Sequence, residues 1–175
     1  MTPFHAVLAL VLLQRGGELL LARANTARLL RLGAVEIDRS GYKFLVALHA
    51  AWLVALFAMV PAAMPPNWPL LALFGVLQAG RIWVIASLGR RWTTRLIVPP
   101  GAPLVASGPY RWLSHPNYLI VAGEVAILPL AFAAVTIAVG FSACNAFLLV
   151  RRIRLENAAL GLPSYHIRET LPRRN

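Results

Sequence analysis

The chain has 175 residues, 59% of them hydrophobic and 13% charged, with a net charge of +11 and a mean hydropathy of +0.67. A soluble domain carries roughly a quarter charged residues, so this composition excludes one and indicates an all-α integral membrane protein, a single domain over 1–175. The basic residues flank apolar stretches and no nucleic-acid-binding motif accompanies them, which excludes nucleic acid as a partner and favours the lipid membrane.

The N-terminal run MTPFHAVLALVLLQ has no Lys or Arg ahead of it. A secretory signal would carry a positive n-region, so this run is expected to be a retained span. It extends from Pro3 to Gln14, or to Ala22 if Arg15 and Glu18 are tolerated. Residues 23–43 alternate Arg23, Arg28 and Arg31 with Leu29, Leu30 and Leu32. They predict a short interfacial helix stopped at Gly33, then a polar link through Glu36, Asp38 and Arg39.

Phe44 to Met64 is free of formal charge and predicts a second span, with His49 in a packing role. Pro61, Pro65, Pro66 and Pro69 mark a turn. Leu70 to Leu88 predicts a third span carrying Gln78 and Arg81 three residues apart, on one helix face. These two either line an acceptor pocket or serve helix–helix hydrogen bonding. The lone cysteine, Cys144, lies inside an apolar run and is expected to be a small buried hydrophobe. No cluster with metal-ligand spacing occurs, so no metal is expected.

From Tyr118 to Val150 the only charge is Glu124. One helix of that length would overshoot a bilayer, whereas two would be short, with a turn near Pro129 and Ala131–Ala134. All 17 Lys and Arg residues fall within 15–43, 81–111 and 151–174. Two helices here, five spans in all (four with a single helix), put the three basic regions on one side. The positive-inside bias then places the N-terminus outside and the C-terminus in the cytosol. Glu124 is either functional or a structural partner for Arg81 or Arg95. The dominance of Arg over Lys, with abundant Ala, suggests a bacterial source and hence the inner membrane.

Between the third and fourth spans lies LVASGPYRWLSHPNY, residues 104–118, where Gly and Pro shape a backbone that presents His115 and two tyrosines. After the apolar hairpin, Arg152 and Glu156 are i, i+4 on one helix face. GPYRWLSHPNY followed by Arg152, Glu156 and Leu160 in the order R-x-x-x-E-x-x-x-L resembles the isoprenylcysteine carboxyl methyltransferase family, over about residues 80–172. The wider layout, with RANTARLLRLGAVE at 23–36 and YKFLVALH at 42–49, is similar to a bacterial branch associated with O-methylation of long-chain alkylpyrones from type III polyketide synthases.

The resemblance implies a helical membrane bundle whose cytosolic loop and C-terminal helix form a core over 90–172 that binds S-adenosyl-L-methionine. It places cofactor contacts at Arg95, Ala102, Pro103, Leu104, Val105, Tyr110, His115, Pro116, Asn117 and Tyr118, and catalytic roles at Arg152 and Glu156. Gln78, Arg81 and Glu124 are the candidate substrate residues. Two positions depart from the family pattern: Ser114 replaces a usual arginine, and Asn157 replaces a frequent second acid. The implied acceptor is a lipophilic small molecule entering from the bilayer. Pyrone or resorcinol hydroxyls come first, a prenylcysteine carboxylate second and a phospholipid amine third. The non-enzymatic alternative is a membrane scaffold or transporter subunit, which leaves the spacing of the two motifs without a reason.

Overall fold

The computed structural model describes residues 2–101, 103 and 105–161. The assignments at Ala102 and Leu104, and the polar tail with His166, lie outside the described residues. Among the described residues five α-helices follow one another: α1 (Pro3–Arg31), α2 (Arg39–Met59), α3 (Trp68–Leu88), α4 (Pro116–Ala131) and α5 (Val135–Leu160). Their starts carry the expected chemistry. Asp38 Oδ1 accepts from Gly41 N at 3.1 Å and Asn67 Oδ1 from Leu70 N at 3.2 Å. Prolines occupy the first turns of α1, α3 and α4, where a missing N–H costs nothing.

Four of the helices are long and apolar enough to cross a membrane, and α4 is the shorter exception at 16 residues, about 24 Å. The hairpin predicted within 118–150 is present. It turns through Phe132 to Ala134, with Ala133 at a φ of 56°. α3 packs on α4, α4 on α5, and α2 on α5. A buried apolar core at the hairpin end joins Phe4, Trp52, Leu56, Phe74, Leu128 and Phe132, with Phe4 edge-on to Phe132 at 5.1 Å. Leu13, Leu20, Phe57, Trp68 and Phe147 remain exposed on the outside, as suits a surface bathed in lipid.

Several expectations are corrected. The first span and the interfacial helix are one continuous α1 of 29 residues. Arg15 and Glu18 do not end it because both are paired across the bundle, and Asn25 fastens its far end to the carbonyls of Gly89 and Trp92. Gly33 does terminate the helix, at a φ of 85° that favours glycine. The polar link contains a strand, β1 (Val35–Glu36), antiparallel to β2 (Ile97–Val98). α2 begins at Arg39, earlier than the charge-free stretch, because Asp38 caps it. Cys144 is exposed on the outer face of α5, not buried.

Candidate functional site

The loop after α3 is the hub that brings the two motifs together. β2 pairs it to β1, Ile37 N donates to Leu96 O at 3.0 Å, and Asn25 Nδ2 donates to Trp92 O at 2.8 Å. Thr94 then faces both neighbouring helices. Its hydroxyl meets the Tyr42 hydroxyl of α2 at 3.1 Å, and its carbonyl accepts from Arg152 Nη2 of α5 at 2.8 Å. One residue before Arg152, Arg151 forks onto the Asp38 carboxylate at 2.8 and 3.1 Å. That hydrogen bond, outweighing the cost of burial, holds the Asp38 carboxyl below its usual range.

His115 precedes the first turn of α4, and Tyr118 stacks on it at a centroid distance of 5.4 Å and an interplanar angle of 17°. The α4–α5 hairpin returns the chain so that these rings meet the motif on α5. Tyr118 donates its hydroxyl proton to Glu156 Oε2 at 2.6 Å and accepts from Arg152 Nε at 3.0 Å. His115 Nε2 lies 2.9 Å from Asn157 Oδ1, and its Nδ1 lies 3.4 Å from Glu156 Oε2. Because Oδ1 only accepts, Nε2 carries a proton. Burial opposes the imidazolium, yet the hydrogen bond and charge of Glu156, with Asn157, outweigh it and raise the His115 pKa above the ordinary histidine value.

The Gly-Pro-Tyr segment forms a short 3₁₀ turn, Gly108–Arg111, against the end of α3. Gly108 has a φ of 56°, and a Cβ there would collide with the Ser87 side chain. Glycine is therefore required both by conformation and by close approach. Pro109 is buried, and burial, followed by the nearby charge of Glu156, pushes the Tyr110 phenol pKa up. The Pro103 carbonyl accepts from Arg91 Nη1 at 2.7 Å. Asn117 Oδ1 is buried without a hydrogen-bond partner, a costly state for a polar atom that a ligand donor would relieve.

The structure thus unites His115, Tyr118, Arg152 and Glu156, with Tyr110 within electrostatic reach. Arg95 is placed elsewhere: it donates to Glu36 at 3.1 Å and lies over the Tyr42 ring at 5.1 Å. The substrate candidates form a separate cluster inside the bundle. Arg81 forks onto Glu18, with Nη2 at 2.7 Å from Oε2, and also reaches Glu124 at 3.1 Å. Gln78 donates to Glu124 at 2.9 Å, and Arg15 bridges Glu124 at 2.6 Å and Glu18 at 2.9 Å. Glu124 therefore pairs with Arg81 as one expectation had it, and not with Arg95. Two arginines and two glutamates balance in charge, as a buried cluster requires.

Sequence reasoning missed Arg15 and Glu18 as network members, and Thr94 and Asn157 as site members. The signal for Arg15 and Glu18 was available: two opposite charges inside an otherwise apolar span call for partners. The departure at Asn157 also has a structural reading, since its amide oxygen replaces a carboxylate as the acceptor for His115.

The sequence pattern described as the isoprenylcysteine carboxyl methyltransferase family matches residues 70–161. Those residues contain all of α3 but its first two residues, the loop hub, α4 and α5. Across 161 residues the chain is 36% identical to the uncharacterized protein YpbQ of Bacillus subtilis (strain 168), covering 90% of this chain and 96% of that relative. No solved structure matches.

Proposed function

Because the chain belongs to the isoprenylcysteine carboxyl methyltransferase family, we propose that it is an S-adenosyl-L-methionine-dependent O-methyltransferase acting at the membrane on a lipophilic acceptor. The observation that carries this reading is the closed set of contacts Arg152–Tyr118–Glu156–His115, which joins the two family motifs into one site.

The residues fit the cofactor. Asn117 Oδ1 offers a buried, unpartnered acceptor for an amine or hydroxyl donor. The turn at Gly108–Arg111 and the backbone of Pro103 and Val105 supply a shaped edge beside Tyr110, His115, Pro116 and Tyr118. When bound, S-adenosyl-L-methionine supplies an electrophilic methyl group on a sulfonium. The protein's own task is then to orient the acceptor oxygen, exclude water and receive a proton.

Arg152 suits the orienting role. Its described bonds use Nε and Nη2, which leaves Nη1 to hold an acceptor oxygen as negative charge develops. Glu156 is the proton acceptor. It does not pair with Arg152 directly and works through the shared Tyr118 hydroxyl, with His115 beside it to stabilise the carboxylate. The charged groups of Arg81 and Glu124 are engaged with Arg15 and Glu18, and Gln78 donates to Glu124 while its Oε1 has no partner, so the cluster's main role is to fix the register of α1, α3 and α4.

A guanidinium facing the acceptor favours an anionic oxygen and so disfavours a phospholipid amine. A bacterial source disfavours a prenylcysteine carboxylate, so a long-chain pyrone or resorcinol hydroxyl is placed first. Arg39, Lys43, Arg90, Arg91 and Arg111 lie in first turns or loops beside the loop hub, and Arg23, Arg28 and Arg154 lie in the last turns of α1 and α5 that lead to it. The positive-inside bias then puts the site at the cytosolic face of a bacterial inner membrane, with the N-terminus outside. The test is to incubate membranes containing the protein with methyl-labelled S-adenosylmethionine and a bacterial lipid extract. Label in a neutral lipid, lost in Glu156→Ala with cofactor binding retained, supports the assignment. Absence of saturable cofactor binding would overturn it.

A further inference from the structure

Beside the loop hub, α2 carries a cleft of about 500 Å³ lined by Arg39, Tyr42, Lys43, Val46, Ala47 and Arg95. Its polar rim holds three cations. Among the described residues the acids around it are Glu36, which pairs with both Arg39 and Arg95, and Asp38, which is taken by Arg151. Glu36 offsets only one of the three charges. Arg39 and Arg95 are 77% and 39% exposed, and Arg95 keeps its guanidinium over the Tyr42 ring.

Ala47 also lines a second cleft, of about 600 Å³, between α2 and α5, whose other walls include Phe44, Ala51, Cys144 and Phe147. That space is a shallow, open groove, apolar and lying along membrane-spanning segments. The two spaces therefore meet at Ala47 as a cationic end followed by an apolar groove. This is the order of groups in an amphiphile with an acidic head and a hydrocarbon tail.

We propose that this composite cleft is a binding site for an anionic phospholipid of the same leaflet. Its phosphate is held by Arg39, Lys43 and Arg95, and one acyl chain lies in the α2–α5 groove. Guanidinium forks match phosphate oxygens, and a cationic cluster at the membrane surface is attracted to acidic headgroups. The charge surplus selects an acidic lipid over a zwitterionic one. The site is distinct from the Arg152–Glu156 cluster, although Tyr42 touches both through Thr94. Lipid held there braces the loop that positions Arg152, and the lipid is a ligand that is not methylated.

The full chain, purified in neutral detergent, is titrated with phosphatidylglycerol or phosphatidylcholine, and retained lipid is counted by native mass spectrometry. Phosphatidylglycerol is expected to bind in preference. Lys43→Gln is expected to weaken it about fivefold, in line with one cation at a membrane surface. Ala47→Trp, which fills the junction, is expected to weaken it separately, whereas Arg28→Gln, outside the cleft, leaves it unchanged. Glycerol phosphate at equal concentration is expected not to compete.

Equal retention of the two lipids, indifference to both cleft variants, or full competition by glycerol phosphate would each overturn the proposal. So would transfer of labelled methyl to the retained lipid, since the cleft would then hold the acceptor. Binding is read without turnover, so its failure and the failure of the methyltransferase reading are separable.

Discussion

The hydroxyl of Tyr118 donates to the carboxylate of Glu156 at 2.6 Å, joining residues 38 apart in sequence. The same oxygen accepts from Arg152 Nε. The i, i+4 pair on α5 is therefore coupled through a residue of α4, and the oxygen of that residue can be removed without changing the ring.

Tyr118→Phe is expected to lower the rate of methyl transfer about 10- to 100-fold, the worth of a hydrogen bond to a charged group. Cofactor binding should change little, because the stacked ring on His115 remains. Steady-state rates beside equilibrium cofactor binding check this. Equal loss of both would mean that the hydroxyl only maintains the fold.

Removing one member of the buried charge network should be severe. Arg81→Met leaves Arg15 alone to compensate both Glu18 and Glu124 and is expected to cost about 3–5 kcal/mol. Arg81→Met combined with Glu18→Gln should recover part of that loss, because one orphaned charge goes with its partner. Thermal unfolding in detergent of the two variants and the parent gives the comparison.

The pH dependence of stability has two arms of opposite sign. His115 has a raised pKa, so its contribution is complete below the ordinary imidazole value and is lost as pH rises through the higher folded value. Asp38 has a lowered pKa, so its contribution is present above the unfolded carboxyl value and is lost as pH falls through the folded one. The melting-temperature gap between the parent and His115→Gln should shrink on moving from pH 6 toward alkaline pH. The gap for Asp38→Asn should shrink on acidification below the ordinary carboxyl range.

Gly41 lies where the Asp38 cap and Arg151 cross. A Cβ at Gly41 would collide with the Asp38 carboxylate and with Arg151 Nη1. Gly41→Ala is expected to destabilise by about 1–3 kcal/mol, as overpacking does, and to lower turnover by shifting the start of α5's charged segment. Melting temperature and turnover should fall together. Gly75→Ala, in the interior of α3 where a Cβ meets nothing within 4 Å, should leave turnover unchanged and raise the melting temperature slightly, because Ala suits a helix better than Gly.

Apolar runs, the positions of 17 basic residues and the Pro/Gly punctuation were enough to give a five-helix membrane bundle, including the hairpin after Tyr118. These features are local: hydrocarbon thickness sets helix length, and charge is tolerated only at the ends or in pairs. The two motifs, with His115, Tyr118, Arg152 and Glu156, were legible through their resemblance to a family pattern. Pairing was not legible. Arg15 and Glu18 seemed to end a helix, but they lie within α1 because Glu124 and Arg81 neutralise them from α4 and α3. Arg95 seemed to belong with the site, yet β1 and Tyr42 hold it at a neighbouring cleft. Sequence determined which groups had to leave lipid or be compensated there. Only the tertiary structure decided which partner compensated each, because in a low-dielectric bundle that depends on which helix faces meet.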